Sequence, residues 1–157
     1  MATWIVHLRL AENLLNLVEG LTPEQFAVGN IAPDSGIPDE NWEHFDPPPE
    51  ILHFQAWDGE THRLADLEFY QQHLHQHKGS VIDPDRFSFL WGYFFHLVTD
   101  NLWDTHIAKP TSDRYAAVFE ADPKFIWQVK RNWYGLDFDY EGVDFSNFSS
   151  SLELSLD

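Results

Sequence analysis

Residues 83–106 read DPDRFSFLWGYFFHLVTDNLWDTH, and no other stretch leaves the chain so little freedom. Asp83-Pro84 supplies an N-cap and a first-turn proline, so a helix is predicted to open here. Its apolar run, inside residues 87–98, is too short for a membrane span and soon meets His96 and Asp100. Such a helix belongs inside a folded domain, where an unpaired polar group costs roughly 2–7 kcal/mol. His96 and Asp100, at i and i+4, share one helix face. They can satisfy each other as a buried pair, or together they can chelate a metal ion. His106 lies about 80° around an ideal helix from His96 and joins that face only if the helix bends or ends first. The helix is expected to end at Lys109-Pro110.

Other segments also read as helix. Trp4, Ile5, Leu8, Leu14, Leu15 and Val18 follow three- and four-residue steps, with Thr3 as N-cap and Gly20 just past the end. Thr22-Pro23-Glu24-Gln25 opens a short helix that is expected to stop at Gly29-Asn30. Residues 29–50, rich in proline, then form a long loop of the kind that in compact domains usually carries function. Helical spacing resumes over 59–77, with Gly79 as terminator, and shorter helices are expected at about 112–121 and 123–134. The prediction is one compact all-α domain over residues 1–136, followed by an irregular C-terminal strap or tail over 137–157.

Composition narrows the chemistry. Hydrophobic residues make up 43% and aromatics 16% of the 157 residues, enough for a packed core expected to be built largely from Phe and Trp. Nine basic against 26 acidic residues give a formal charge of −17, which disfavours long nucleic acid and anionic membranes as partners. Cysteine is absent, so disulfides and thiolate ligands are excluded and any metal must bind His, Asp or Glu. MATWIVHLRLAENLL has no basic leader, unbroken apolar run or cleavage site, which sets the expectation of a cytoplasmic protein.

Three more stretches bear on the metal question. VHL places His7 on the first helix, Pro33-Asp34 heads the long loop, and His53-Phe54 follows the triple proline closely. Taken singly, each is weak, because a lone His among apolar residues is commonly a core residue and Asp after Pro a turn. In order, with His96, Asp100 and His106 spaced as H-x3-D-x5-H, they resemble the bacterial zinc-dependent phospholipase C family and the related single-strand-specific nucleases of fungi and plants. The similarity spans residues 4–106.

That resemblance implies an all-helical fold around zinc that hydrolyses phosphodiesters. One zinc would be held by Asp34, His53, His96 and Asp100, and a second by His7 with Asp100 bridging, while Asp34 doubles as proton acceptor. The family's third zinc uses the counterpart of His106 with a later His and Glu. No histidine follows His106 here, so that site is incomplete, and nothing in the spacing of Glu120 or Asp122 replaces it. The family's terminal tryptophan ligand has its counterpart in Trp4, which three residues precede.

Other polar residues read as bystanders. His73, His75 and His77 suit a solvated helix end, His62 a boundary and His44 the loop. Asp137, Asp139, Glu141 and Asp144 lack the pattern of a calcium loop and read as solvated charge. The leading expectation is a phosphoesterase with one or two zinc ions, acting on a small phosphodiester or a phospholipid head group. Its rivals are a structural zinc that pins loop 29–53 to the long helix, and a metal-free interaction protein.

Overall fold

The computed structural model describes residues 2–41, 43–57, 62–77 and 83–138. Over these residues the chain is a compact all-α fold with little strand. Helix α1, Trp4–Leu15, starts where the extended Thr3 accepts the Val6 N–H on Oγ1 at 3.3 Å. Helix α2 is Pro23–Ile31 and passes directly into a 3-10 turn at Ala32–Asp34. Gly29 therefore lies inside the helix and does not end it as the sequence led us to expect.

Close packing explains Gly29. Helix α5, Pro84–Trp103, lies along α2 in the most extensive helix contact of the fold. A Cβ on Gly29 would stand 2.2 Å from the Phe89 carbonyl oxygen, and one on Gly92 would stand 2.2 Å from that of Phe26. Only glycine lets the two backbones approach this closely. Ser88 on α5 accepts the Thr22 N–H at 2.8 Å and donates to the Pro84 carbonyl at 2.7 Å, fixing the start of α2 against α5. Phe26, Leu97 and Ala11 are fully buried around this crossing.

The core is less aromatic than the composition indicated. Phe26 and Phe69 are buried, but alanines at 2, 11, 27 and 65 fill much of the rest, and Trp4 and Trp127 are exposed. Residues 29–50 are not a structureless loop. After α2 and its 3-10 turn, β1 (Ile37–Pro38) pairs antiparallel with β2 (Phe45–Asp46), and α3 (Pro49–Leu52) follows. Within the stretch expected to be helix at 59–77, β4 (His62–Leu64) pairs with β3 (Gln55–Trp57), and helix starts only at α4 (Asp66–Phe69). A π-helical turn at Tyr70–Leu74 and a 3-10 turn at His75–His77 complete it.

Helix α5 opens at Asp83 as expected, with its carboxylate accepting the Asp85 and Arg86 amides at 3.1 and 3.0 Å. Its α-geometry ends at Trp103 and not at Lys109-Pro110, because the next five residues, Asp104–Ala108, form a π-helical turn. Pro110 is then an early residue of α6, Lys109–Arg114, where its missing N–H costs nothing. Two helices, α6 and α7 (Ala116–Ala121), stand where a single one was expected. The last, α8, runs Phe125–Phe138 and so carries Asp137, which had been assigned to the irregular tail; Asp139, Glu141 and Asp144 fall outside the described residues. Among the described residues no helix is long and apolar enough to cross a membrane.

Candidate metal centre

Five of the six residues singled out as metal ligands meet at one place. His7 comes from α1, Asp34 from the 3-10 turn after α2, His53 from the end of α3, and His96 and Asp100 from adjacent turns of α5. Two overlapping groups have their ligand atoms within 4.8 Å of one another: His7, His96 and Asp100, and Asp34, His53 and His96. His53 Nε2 lies 3.1 Å from Asp34 Oδ1 and 3.7 Å from Asp100 Oδ2. Asp100 Oδ2 is 3.5 Å from His96 Nε2, and its Oδ1 is 3.4 Å from His7 Nε2.

The surrounding backbone orients the rings. His96 Nδ1 lies 2.7 Å from the Asn30 carbonyl, which the α2–α5 crossing brings alongside. A carbonyl only accepts, so Nδ1 carries a proton and Nε2 is the nitrogen that faces the cluster. His53 is held likewise, with Nδ1 3.2 Å from the Pro49 carbonyl. This is the outer-shell arrangement typical of metal-bound imidazoles.

The result is a concentration of unsatisfied polar atoms in the interior. His7 and His96 are fully buried, and His7 Nδ1, His7 Nε2, His96 Nε2 and Asp100 Oδ2 make no aligned hydrogen bond. An imidazole lone pair facing a carboxylate oxygen is repulsive unless a cation or a proton lies between them. Burial pushes the His7 imidazole below its ordinary pKa, against the opposing pull of Asp100, which keeps the ring neutral and able to ligate. Burial would raise the Asp100 carboxyl, but the close approach of the His7 and His96 imidazoles outweighs it and holds the group well below the usual carboxylate range. The donor set, nitrogen and oxygen without sulfur, suits a divalent metal such as zinc, iron or manganese.

Asp34 and His53 also line a cleft of about 600 Å³, walled by Trp4, Phe45, Leu52 and Tyr134, whereas His7, His96 and Asp100 lie behind it. The cluster thus has a buried side and a side that opens to the cleft.

His106 is not part of it. The π-helical turn leaves it exposed, lining a separate hollow of about 370 Å³ with Arg114, Tyr115 and Trp133. Glu120 and Asp122 are exposed, and neither belongs to a metal-capable group among the described residues. His44 is exposed, and His73 packs on the Phe69 ring at 4.7 Å between centroids rather than standing in solvent. Three contacts escaped the sequence reading. The Asn30 carbonyl holds His96, the Ala2 N–H donates to Asp100 Oδ1 at 2.7 Å, and the buried Asp137 accepts from Thr3 Oγ1. The first two are backbone groups and carry no residue-type signal, while Asp137 was masked by the acidic run it begins.

No family model, curated protein or solved structure matches this chain. The functional reading accordingly stands on the cluster itself.

Proposed function

We propose that the chain is a zinc-dependent phosphoesterase acting on a small phosphodiester or a phospholipid head group. The observation that carries this reading is the convergence of unpaired His7, His96 and Asp100 acceptors, buried behind an Asp34–His53 pair that faces a cleft. Asp34, His53, His96 and Asp100 would hold one ion, and His7 with the other Asp100 oxygen a second. Zinc, when bound, supplies Lewis acidity and brings the pKa of water to about 7.

The remaining chemistry belongs to the chain's own groups. Asp34 is the carboxylate of the cluster that reaches the cleft, which supports a role for it in taking the proton of an attacking water. His53 and His96 keep their Nε2 atoms on the cluster because backbone carbonyls hold their Nδ1 atoms. Trp4, Phe45 and Tyr134 offer apolar walls to whatever the phosphate carries. A formal charge of −17 favours compact substrates over polyanions. A cytoplasmic setting belongs to the same proposal and is checked by cell fractionation.

Full burial of His7 and His96 favours one alternative, a structural zinc without turnover. Metal analysis of untagged protein, followed by hydrolysis of bis(p-nitrophenyl) phosphate, decides between them. We expect bound zinc and activity, with both lost in His96→Ala, and with activity lost and zinc bound more weakly in Asp34→Asn. Zinc without turnover above that of the variants selects the structural reading. Protein free of zinc, iron and manganese overturns both.

A further inference from the structure

Helix α8 brings one acidic side chain into the interior beside the cluster. Asp137 is buried, although it opens an acidic run and lines the same cleft as Asp34 and His53. Its carboxylate accepts from Thr3 Oγ1, a contact across 134 residues of sequence. The Thr3 hydroxyl in turn accepts the Val6 N–H and so caps α1, the helix that carries His7. The preceding Ala2 N–H donates to Asp100 Oδ1, the oxygen nearest His7. A continuous chain of contacts therefore runs from α8 through the Ala2–Thr3 arm to two of the five clustered residues.

A buried carboxylate costs far more than a surface one unless it orders something in return. Here a charge-assisted bond fixes the hydroxyl rotamer, and that rotamer both caps α1 and sets the arm against Asp100. We infer that Asp137 is a positioning residue of the candidate metal centre, latching the Ala2–Thr3 arm so that α1 presents His7 and the Ala2 N–H engages Asp100. The latch itself stands without any ion; its effect on zinc rests on the function proposed above.

The test uses the full chain as Asp137→Ala, Asp137→Asn, Thr3→Val and Thr3→Ser, after circular dichroism has shown native helicity. Asp137→Asn and Thr3→Ser retain an acceptor and a hydroxyl, whereas the other two break the link from opposite ends. The first measurement is amide hydrogen exchange over residues 2–7 in protein stripped with EDTA. Faster exchange in Asp137→Ala and Thr3→Val, with near wild-type protection in Asp137→Asn and Thr3→Ser, supports the latch. Unchanged protection in Asp137→Ala overturns it.

The second measurement is zinc affinity, expected to fall about 10- to 100-fold in Asp137→Ala and to recover in Asp137→Asn. Lost protection with unchanged affinity overturns the positioning role. If the wild-type chain takes up no zinc, the proposed function fails, and exchange in the stripped protein alone decides whether the arm is latched. Should Asp137→Ala not fold, Thr3→Val against Thr3→Ser gives the comparison without touching α8, read at the Ala2 amide and apart from the Val6 amide that the lost cap frees.

Discussion

The imidazole rings of His7 and His96 are stacked, with centroids 3.9 Å apart and planes 12° from parallel. An imidazole nitrogen binds a metal through a lone pair in the plane of its own ring, so two stacked rings present their nitrogens side by side. Asp100 resolves the geometry by dividing its oxygens, Oδ1 toward His7 and Oδ2 toward His96 and His53. The His53 ring is tilted 60° to that of His96, and with Asp34 these two form the second metal-capable group beside His7, His96 and Asp100. Under the proposed function, Asp100 would be the carboxylate shared between two cations.

From this division follows an asymmetry between the two stacked histidines. His7→Ala should lower the zinc content by one ion and leave the Asp34, His53, His96 and Asp100 set loaded. His96→Ala, which removes a ligand from that set, should cost most of the bound metal. Elemental analysis after gel filtration gives the ratio. Equal losses in the two variants would show that His7 and His96 serve the same ion, contrary to that division.

Metal removal should also loosen the fold, because stripping leaves buried acceptors facing one another without a cation. A ligand that binds only the native state stabilises by RT ln(1 + [L]/Kd), about 4 kcal/mol when free zinc is about 1,000 times Kd. EDTA should therefore lower the melting temperature by several degrees, and added zinc should restore it. A melting temperature indifferent to both would mean that the cluster is satisfied without metal.

Tyr93 gives a prediction at the alkaline end. Its hydroxyl donates to the Leu52 carbonyl, tying α5 to the helix that delivers His53, and its ring stacks on Phe69 at 4.9 Å. Burial pushes the phenol up from 10.0 to about 12. The native state thus holds its proton more tightly than the unfolded chain, so the stabilisation is complete below about pH 10 and drains away as pH rises toward 12. Tyr93→Phe should lose about 1 kcal/mol at neutral pH through the missing hydrogen bond. It should also flatten the fall in stability above pH 10 relative to wild type. Denaturant melts at stepped pH read both effects, and parallel curves for the two proteins would contradict the assignment.

What the sequence disclosed, and what it did not, divides along physical lines. Caps and helix-face spacing are local, so Thr3, Pro23 and Asp83-Pro84 marked true helix starts, and His96 with Asp100 marked a shared buried face. His7, Asp34 and His53 were found through the order of their motifs, and packing brings all three to that face. Features set by tertiary contact were not legible. Gly29 looks like a helix stop in sequence and is a close-approach residue in space. Pro110 looks like a terminator, yet a π-helical turn before it hands the chain to a new helix, so the chain does not turn back and His106 stays off the cluster's face. Asp137 reads as solvated charge until α8 brings it against Thr3.

The glycines of the α2–α5 crossing allow that distinction to be tested directly. At Gly29 and Gly92 a methyl group would meet backbone oxygen at 2.2 Å, which no side-chain rotation relieves, so the helices themselves must separate. Gly29→Ala and Gly92→Ala should each destabilise by about 1–3 kcal/mol or more, the usual cost of overpacking a tight contact. Separation would also draw the Asn30 carbonyl away from His96 Nδ1, so zinc affinity should fall about 10-fold or more even though neither glycine touches a ligand. Gly135 is the control, since it lies within α8 and a Cβ there meets nothing within 4 Å. Gly135→Ala should stabilise by about 0.5–1 kcal/mol through lower chain entropy in the unfolded state, with zinc affinity unchanged. Chemical denaturation with zinc titration on the three variants separates the cases: if Gly29→Ala behaves like Gly135→Ala, the two helices do not approach as described, and His96 is not held by the carbonyl that orients it here.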